Sequence, residues 1–130
     1  MPSTTIDRRR RMIGKAASYT VNPAVDQPET TFTNDGATGS ITFTLPTPNQ
    51  QMLGSRFYFM GVVDQSIVVQ PPVVDTAIVL NDLAADSLAM STAGQKIGGV
   101  IQAECVRTTV GGYQWCLRGT SVGVTYTIAT

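Results

Sequence analysis

The sequence predicts an all-β fold: a small β-sandwich or barrel-like domain over residues 31–130, preceded by an extended N-terminal arm over residues 1–30. Three observations carry that prediction. Apolar residues recur with a period of two in short runs, as in Ile41, Phe43 and Leu45 or in Phe57 and Phe59, the spacing of side chains that share one face of a strand. Glycine- and proline-rich punctuation divides these runs at short intervals, which suits a sandwich or barrel. The composition is rich in Thr and Val, and 42% hydrophobic with only 14% charged residues gives enough apolar content for a core and too little charge for disorder. A chain of 130 residues makes one domain, able to remove roughly two-thirds of its extended surface from water without staples.

Taken in order, residues 1–30 hold Pro2, Pro23, Pro28 and the run Arg8-Arg9-Arg10-Arg11 but little periodic apolar pattern, and so read as an arm. A short helix over Ile6 to Met12, capped by Thr5, is the one element the segment would support, and Gly14 cuts it short. The turn cluster NDGATGS at 34–40 leads into a strand from Ile41 to Leu45, closed by Pro46 and Pro48. A second strand alternates Phe57, Phe59 and Gly61 with Arg56, Tyr58 and Met60. Ile67 and Val69 form a third, which Pro71-Pro72 must end. Residues 80–96 admit two readings: Asn81 would cap a helix across DLAADSL, while Leu88 and Met90 alternate as in a strand.

Beyond the Gly98-Gly99 bend, residues 100–110 and 113–118 read as a hairpin around Gly111-Gly112, a pair suited to the positive φ of a primed turn. That register puts Val106, Thr108 and Val110 on one face with Leu117, Trp115 and Tyr113. The last strand has the cleanest alternation, with Val122, Val124, Tyr126 and Ile128 on one face.

Net charge is zero, yet residues 1–15 carry five cations and one acid while residues 16–130 carry four cations and eight acids. A basic arm on an acidic body is the strongest organisational fact in the sequence. Histidine is absent, which removes the commonest metal ligand and the most versatile acid–base group, and with them most hydrolase, zinc and copper chemistries. No metal site and no cofactor are expected. No apolar run approaches the roughly twenty residues of a membrane span, and the basic start is not followed by an apolar segment as in a secretory signal. A soluble protein made in a cytoplasm is the expectation.

Each candidate for chemistry has a plainer reading beside it. Asp82 and Asp86 would share a helical face as paired carboxylates, but on a Ser- and Ala-rich stretch they read as solvated charges, and no enzymatic constellation is evident. GATGS lacks the lysine and the strand-to-helix setting of a phosphate-binding loop. Cys105 and Cys116 are diagonal neighbours in the predicted hairpin, too far apart for a relaxed bridge, whereas a slipped register would oppose them. They are read as free thiols. Trp115 and Tyr113 would make a stacking platform for sugars or bases, yet Leu117 and Val110 beside them favour core or subunit packing. For the arginine run, docking on an acidic protein surface ranks above a solvated tail, and both above nucleic acid, because the acidic body offers no basic groove to continue.

Tyr19-Thr20-Val21 and then TFTNDGATGSITFTLP at 31–46 resemble a β-rich module of tailed-bacteriophage virion proteins, the type found in capsid decoration (cement) proteins, head fibres and fibre tips. The run Gly54-Ser55-Arg56-Phe57-Tyr58-Phe59, the stretch DSLAMSTAGQKI at 86–97 and the hairpin CVRTTVGGYQWCLRG at 105–119 continue the likeness over residues 19–128. The segment 64–80, DQSIVVQPPVVDTAIVL, departs from it in its Val and Pro content. The resemblance implies a non-enzymatic, trimeric structural protein of the virion. Its partner would be the major capsid protein on the outer shell, with no nucleic acid, membrane or small-molecule substrate. Arg8, Arg9, Arg10, Arg11 and Lys15 are then the expected capsid-binding arm, and Phe43, Phe57, Phe59, Trp115, Val122, Val124, Tyr126 and Ile128 the expected core and trimer packing. A head-fibre or tail-fibre tip binding host glycans is the alternative, disfavoured by the lack of a repetitive shaft. A small glycan-active enzyme or a nucleic-acid-binding factor is third.

Overall fold

Twelve strands and one short 3-10 turn (Gln50–Met52) make up the regular structure of a computed structural model that describes residues 9–130. In chain order the strands are β1 (Met12–Gly14), β2 (Tyr19–Thr20), β3 (Thr31–Thr33), β4 (Ile41–Thr44), β5 (Arg56–Met60), β6 (Ile67–Gln70), β7 (Ala77–Val79), β8 (Asp82–Ala85), β9 (Ser87–Met90), β10 (Val100–Thr108), β11 (Gly112–Gly119) and β12 (Thr127–Ala129). They form two mixed sheets, one ordered β1-β3-β5-β10-β11-β7-β8 and the other β12-β9-β6-β4-β2. No α-helix occurs among the described residues. The all-β expectation holds, with two layers as in a β-sandwich.

The chain changes layer after almost every strand. From β1 to β6 it steps back and forth between the sheets, so β1, β3 and β5 run parallel in one and β2, β4 and β6 parallel in the other. Parallel neighbours require a crossover; here a strand of the opposite sheet supplies it in place of a helix. The layers meet through aromatic rings. Phe32 on β3 lies 5.8 Å from Phe43 on β4, and Phe43 lies 4.9 Å from Phe59 on β5. Phe57 reaches Trp115 at 6.0 Å. Phe43, Phe57, Phe59 and Trp115 are all fully buried within the single chain, and the Trp115 indole N–H donates to the Pro46 carbonyl at 2.7 Å. The alternation in β4 and β5 therefore turned these rings inward, and Trp115 is core rather than a stacking platform.

Three expectations are corrected: the boundary of the arm, the register of the hairpin and the extent of the last strand. The arm over residues 1–30 joins the body from Met12 onward: β1 pairs with β3, β2 pairs with β4, and Ile13 and Tyr19 pack against the core. Each of these strands is too short to show a period, and each is held by the backbone of its neighbour; Thr31 N–H donates to Arg11 O and Lys15 N–H to Thr33 O. The helix over Ile6 to Met12 falls mostly outside the described residues, and Met12 itself opens a strand. Of the two readings of residues 80–96 the strand is the one adopted, as β8 and β9.

The hairpin has another register. Thr109, Val110 and Gly111 span Thr108 and Gly112, and Tyr113 faces Arg107 rather than Val110. Gly112 takes φ 70° at the start of β11, where a side chain would be strained. An odd offset exchanges the two faces of a strand. Ile101, Ala103 and Cys105 therefore share the buried face with Trp115 and Leu117, and burial of that apolar row outweighs the turn preference of the glycine pair. The same register puts Cys105 and Cys116 on opposite faces of the sheet, and both thiols are free. Lastly, the final strand is only Thr127–Ala129. Val122 stands wholly exposed in a turn completed by Gly123 at φ 86°, whereas Val124, Tyr126 and Ile128 rest half-buried on the core.

Candidate functional site

Two surface features stand out, a cationic edge and an apolar groove. The edge begins where the described chain does; Arg8 lies outside the described residues. Arg9, Arg10 and Arg11 are exposed and run directly into β1, the outermost strand of the seven-stranded sheet. Their backbone is fixed to a rigid neighbour through the Thr31–Arg11 hydrogen bond of 2.8 Å. The Arg10 guanidinium lies 4.2 Å from the centre of the Tyr58 ring, and the Lys15 ammonium 3.7 Å from that of Tyr19. Such contacts steady a cation, and a guanidinium lying over a ring still presents its N–H edge to a carboxylate. Of the cations of the body, Arg107 also lies over a ring, 5.7 Å from the centre of Tyr113, and the other three form ion pairs. Arg56 pairs with Glu29 at 3.0 Å, Arg118 with Glu104 at 3.3 Å, and Lys96 with Asp64 at 4.0 Å.

Below the edge, Asp26 holds the connection from β2 to β3. This buried carboxylate accepts from the Tyr19 hydroxyl at 2.6 Å and from Asn22 N–H at 2.8 Å. That hydrogen bond, helped by burial and by the negative charge itself, pushes the Tyr19 phenol up to about 12. Asn34 does comparable work at the next turn. Fully buried, it accepts through Oδ1 from Val62 and Val63 N–H and donates through Nδ2 to Val63 and Gln65 carbonyls. The Tyr19-Thr20-Val21 and T-F-x-N segments of the sequence thus mark two polar anchors; composition and periodicity alone signal neither.

The groove opens between the two sheets at their other side. It encloses about 410 Å³ between the ends of β7 and β11 and the facing β9 and β12. Val79, Leu80, Leu88, Leu117, Tyr126 and Ile128 make it apolar, with Cys116, Arg118 and Gly119 on its wall. Tyr126 closes one end: its hydroxyl donates to Val100 O at 2.8 Å and accepts from Ser121 N–H at 3.1 Å. A Cβ on Gly119 would fall 2.2 Å from the Tyr126 ring, so the ring sits where only glycine leaves room.

The structure does not gather the remaining sequence candidates into a site. Asp82 on β8 accepts from Ala84 N–H, and Asp86, in the link between β8 and β9, accepts from Asp75 N–H, each at 2.8 Å; the two do not share a helical face. Burial pushes the Cys105 thiol up. Among the described residues no group of three or more acidic, Cys or His side chains is placed to hold a metal ion. No protein-family model matches the chain, and no curated protein matches it.

Proposed function

We propose that this chain is a structural protein of a bacteriophage particle, a decoration protein that binds the outer surface of the major capsid protein shell and stabilises it as a homotrimer. The observation that carries the reading is the cationic edge: consecutive exposed arginines held against the margin of a rigid sandwich. Guanidinium groups so placed make bidentate bonds to carboxylates on an acidic shell without first being ordered. Three arms on a trimer add their contacts in one binding event. The ordered resemblance of residues 19–128 to phage virion modules supports the same class.

The test is co-sedimentation with purified phage heads that lack the protein. Replacing Arg8, Arg9, Arg10 and Arg11 together by Gln leaves β1 intact. The variant is expected to keep its melting temperature and to lose most capsid binding, and binding of the unaltered protein to weaken with salt, since exposed charges are screened over about 8 Å at physiological ionic strength. Equal sedimentation of both forms would remove the arm from the capsid contact. Light scattering at micromolar concentration reads the trimer separately.

A further inference from the structure

β1 is the outermost strand of the seven-stranded sheet, and its outer backbone edge faces no other strand of that sheet. It runs parallel to β3. In a parallel ladder every second residue turns both its N–H and its C=O toward the neighbour, and the residues between turn theirs away. Thr31 N–H donates to Arg11 O and Lys15 N–H to Thr33 O, so Arg11, Ile13 and Lys15 face β3. Arg10, Met12 and Gly14 therefore direct their backbone groups outward. Met12 is 60% exposed and Gly14 is exposed too, which for a glycine means the main chain itself.

The other sheet margins are closed or uncharged. On β8 the Asp82 side chain takes the Ala84 N–H and Gln114 takes the Leu83 carbonyl. Just past β2, Asp26 takes the Asn22 N–H. β12 and the chain around it, residues 120–130, carry no charge. At β1 an open backbone coincides with charge: Arg10, Arg11 and Lys15 border it, against Asp35 beside Gly14. Among the described residues these three cations form no ion pair with an acid; Arg10 and Lys15 lie over tyrosine rings.

We propose that β1 is a docking edge for an extended acidic segment of a protein partner, which adds to the seven-stranded sheet as a further strand. Main-chain bonds to Met12 and Gly14 supply affinity and register, and the flanking cations select carboxylates on the incoming strand. Basic side chains on a bare edge also turn away like-charged edges. A second copy of β1 is refused on that ground, since it would set cation against cation. The proposal deepens the capsid-binding reading: it rests on the same cationic edge and says how that edge is engaged.

The probe is a dye-labelled synthetic peptide of alternating Glu and Thr, followed by fluorescence anisotropy and by amide hydrogen exchange of the protein. Its controls are the same peptide N-methylated throughout, which keeps its charges but cannot donate backbone hydrogen bonds, and an oligothymidine. Met12→Pro removes an outward N–H, changes no charge and spares the bonds to β3; edge strands accept proline in this orientation. Met12→Ala controls for the side chain. The unaltered protein and Met12→Ala are expected to bind the acidic peptide, with slowed exchange at the Met12 and Gly14 amides. Met12→Pro is expected to keep the parent's melting temperature and to bind roughly tenfold more weakly or worse. The N-methylated peptide tests the same point on the unaltered protein, and is expected not to bind. Failure of the acidic peptide to bind the unaltered protein would overturn the proposal. Equal peptide binding by Met12→Pro, or binding of either control as tightly as the acidic peptide, would reduce the edge to a charged surface and also overturn it. An oligomer of the parent that Met12→Pro dissociates in light scattering would give the edge to a second copy, again against it. Heads are scored apart: a parent that pairs with the peptide yet does not sediment with heads keeps the docking edge and removes the capsid as its partner.

Discussion

Asp26 and Asn34 show how single polar residues fix backbone that carries no pattern of its own. The bond from Tyr19 to Asp26 exists only while the phenol is protonated. The folded group titrates at about 12 against an ordinary 10.0, so its contribution is complete below pH 10 and is lost as pH rises from 10 through 12. Urea midpoints of the parent and of Tyr19→Phe are therefore expected to differ at pH 8 and to converge toward pH 12. Asn34→Ala leaves the Val62 and Val63 amides without their acceptor and two carbonyls without their donor. Denaturant titration is expected to show a loss of about 3 kcal/mol, the scale of orphaned buried polar groups. Neither role was legible in the sequence. Asn34 bonds residues about thirty positions away, and an isolated Asn in a turn looks the same whether it faces water or the core.

At the scale of elements, legibility followed the length of the alternating run. β4, β5 and β6 place two or more apolar side chains on one face, so the local pattern suffices. β1 and β2 have one inward side chain apiece, Ile13 and Tyr19, and are recruited by the unpaired backbone of β3 and β4. The hairpin register was misread for a different reason: a glycine pair advertises a turn, but the row Ile101, Ala103 and Cys105 decides which face goes in. The C-terminal segment depends on close approach. Gly119→Ala drives a methyl group into the Tyr126 ring and is expected to cost about 1–3 kcal/mol, the range for overpacking, read as a lower melting temperature. Combined with Tyr126→Ala the loss should be less than additive, because the second change removes the obstacle.

For the molecule as a whole, the boundary between arm and body decides what a truncation means. Removing residues 1–10 spares β1 and the Arg11 carbonyl, and is expected to leave the melting temperature unchanged. Removing residues 1–15 strips the edge strand from β3 and uncovers what Ile13 protects. A loss on the order of 1–3 kcal/mol is expected from the apolar surface and hydrogen bonds involved, seen as an earlier thermal transition. The all-β class was legible because composition and alternation report it directly; the choice of two layers over a barrel and the parallel order of the strands were not, since nothing local records which strands become neighbours. That order sets a tempo. With successive strands assigned to opposite layers, β1 waits for β3 and β2 for β4, and only the β7–β8 and β10–β11 pairs join strands that follow one another directly. Loops must close before most ladders return any energy, so refolding is set on the order of milliseconds to seconds rather than microseconds. β12 pairs with β9 across a long stretch of intervening chain, and the five-stranded sheet reaches its full width only once residues 127–129 have emerged from the ribosome.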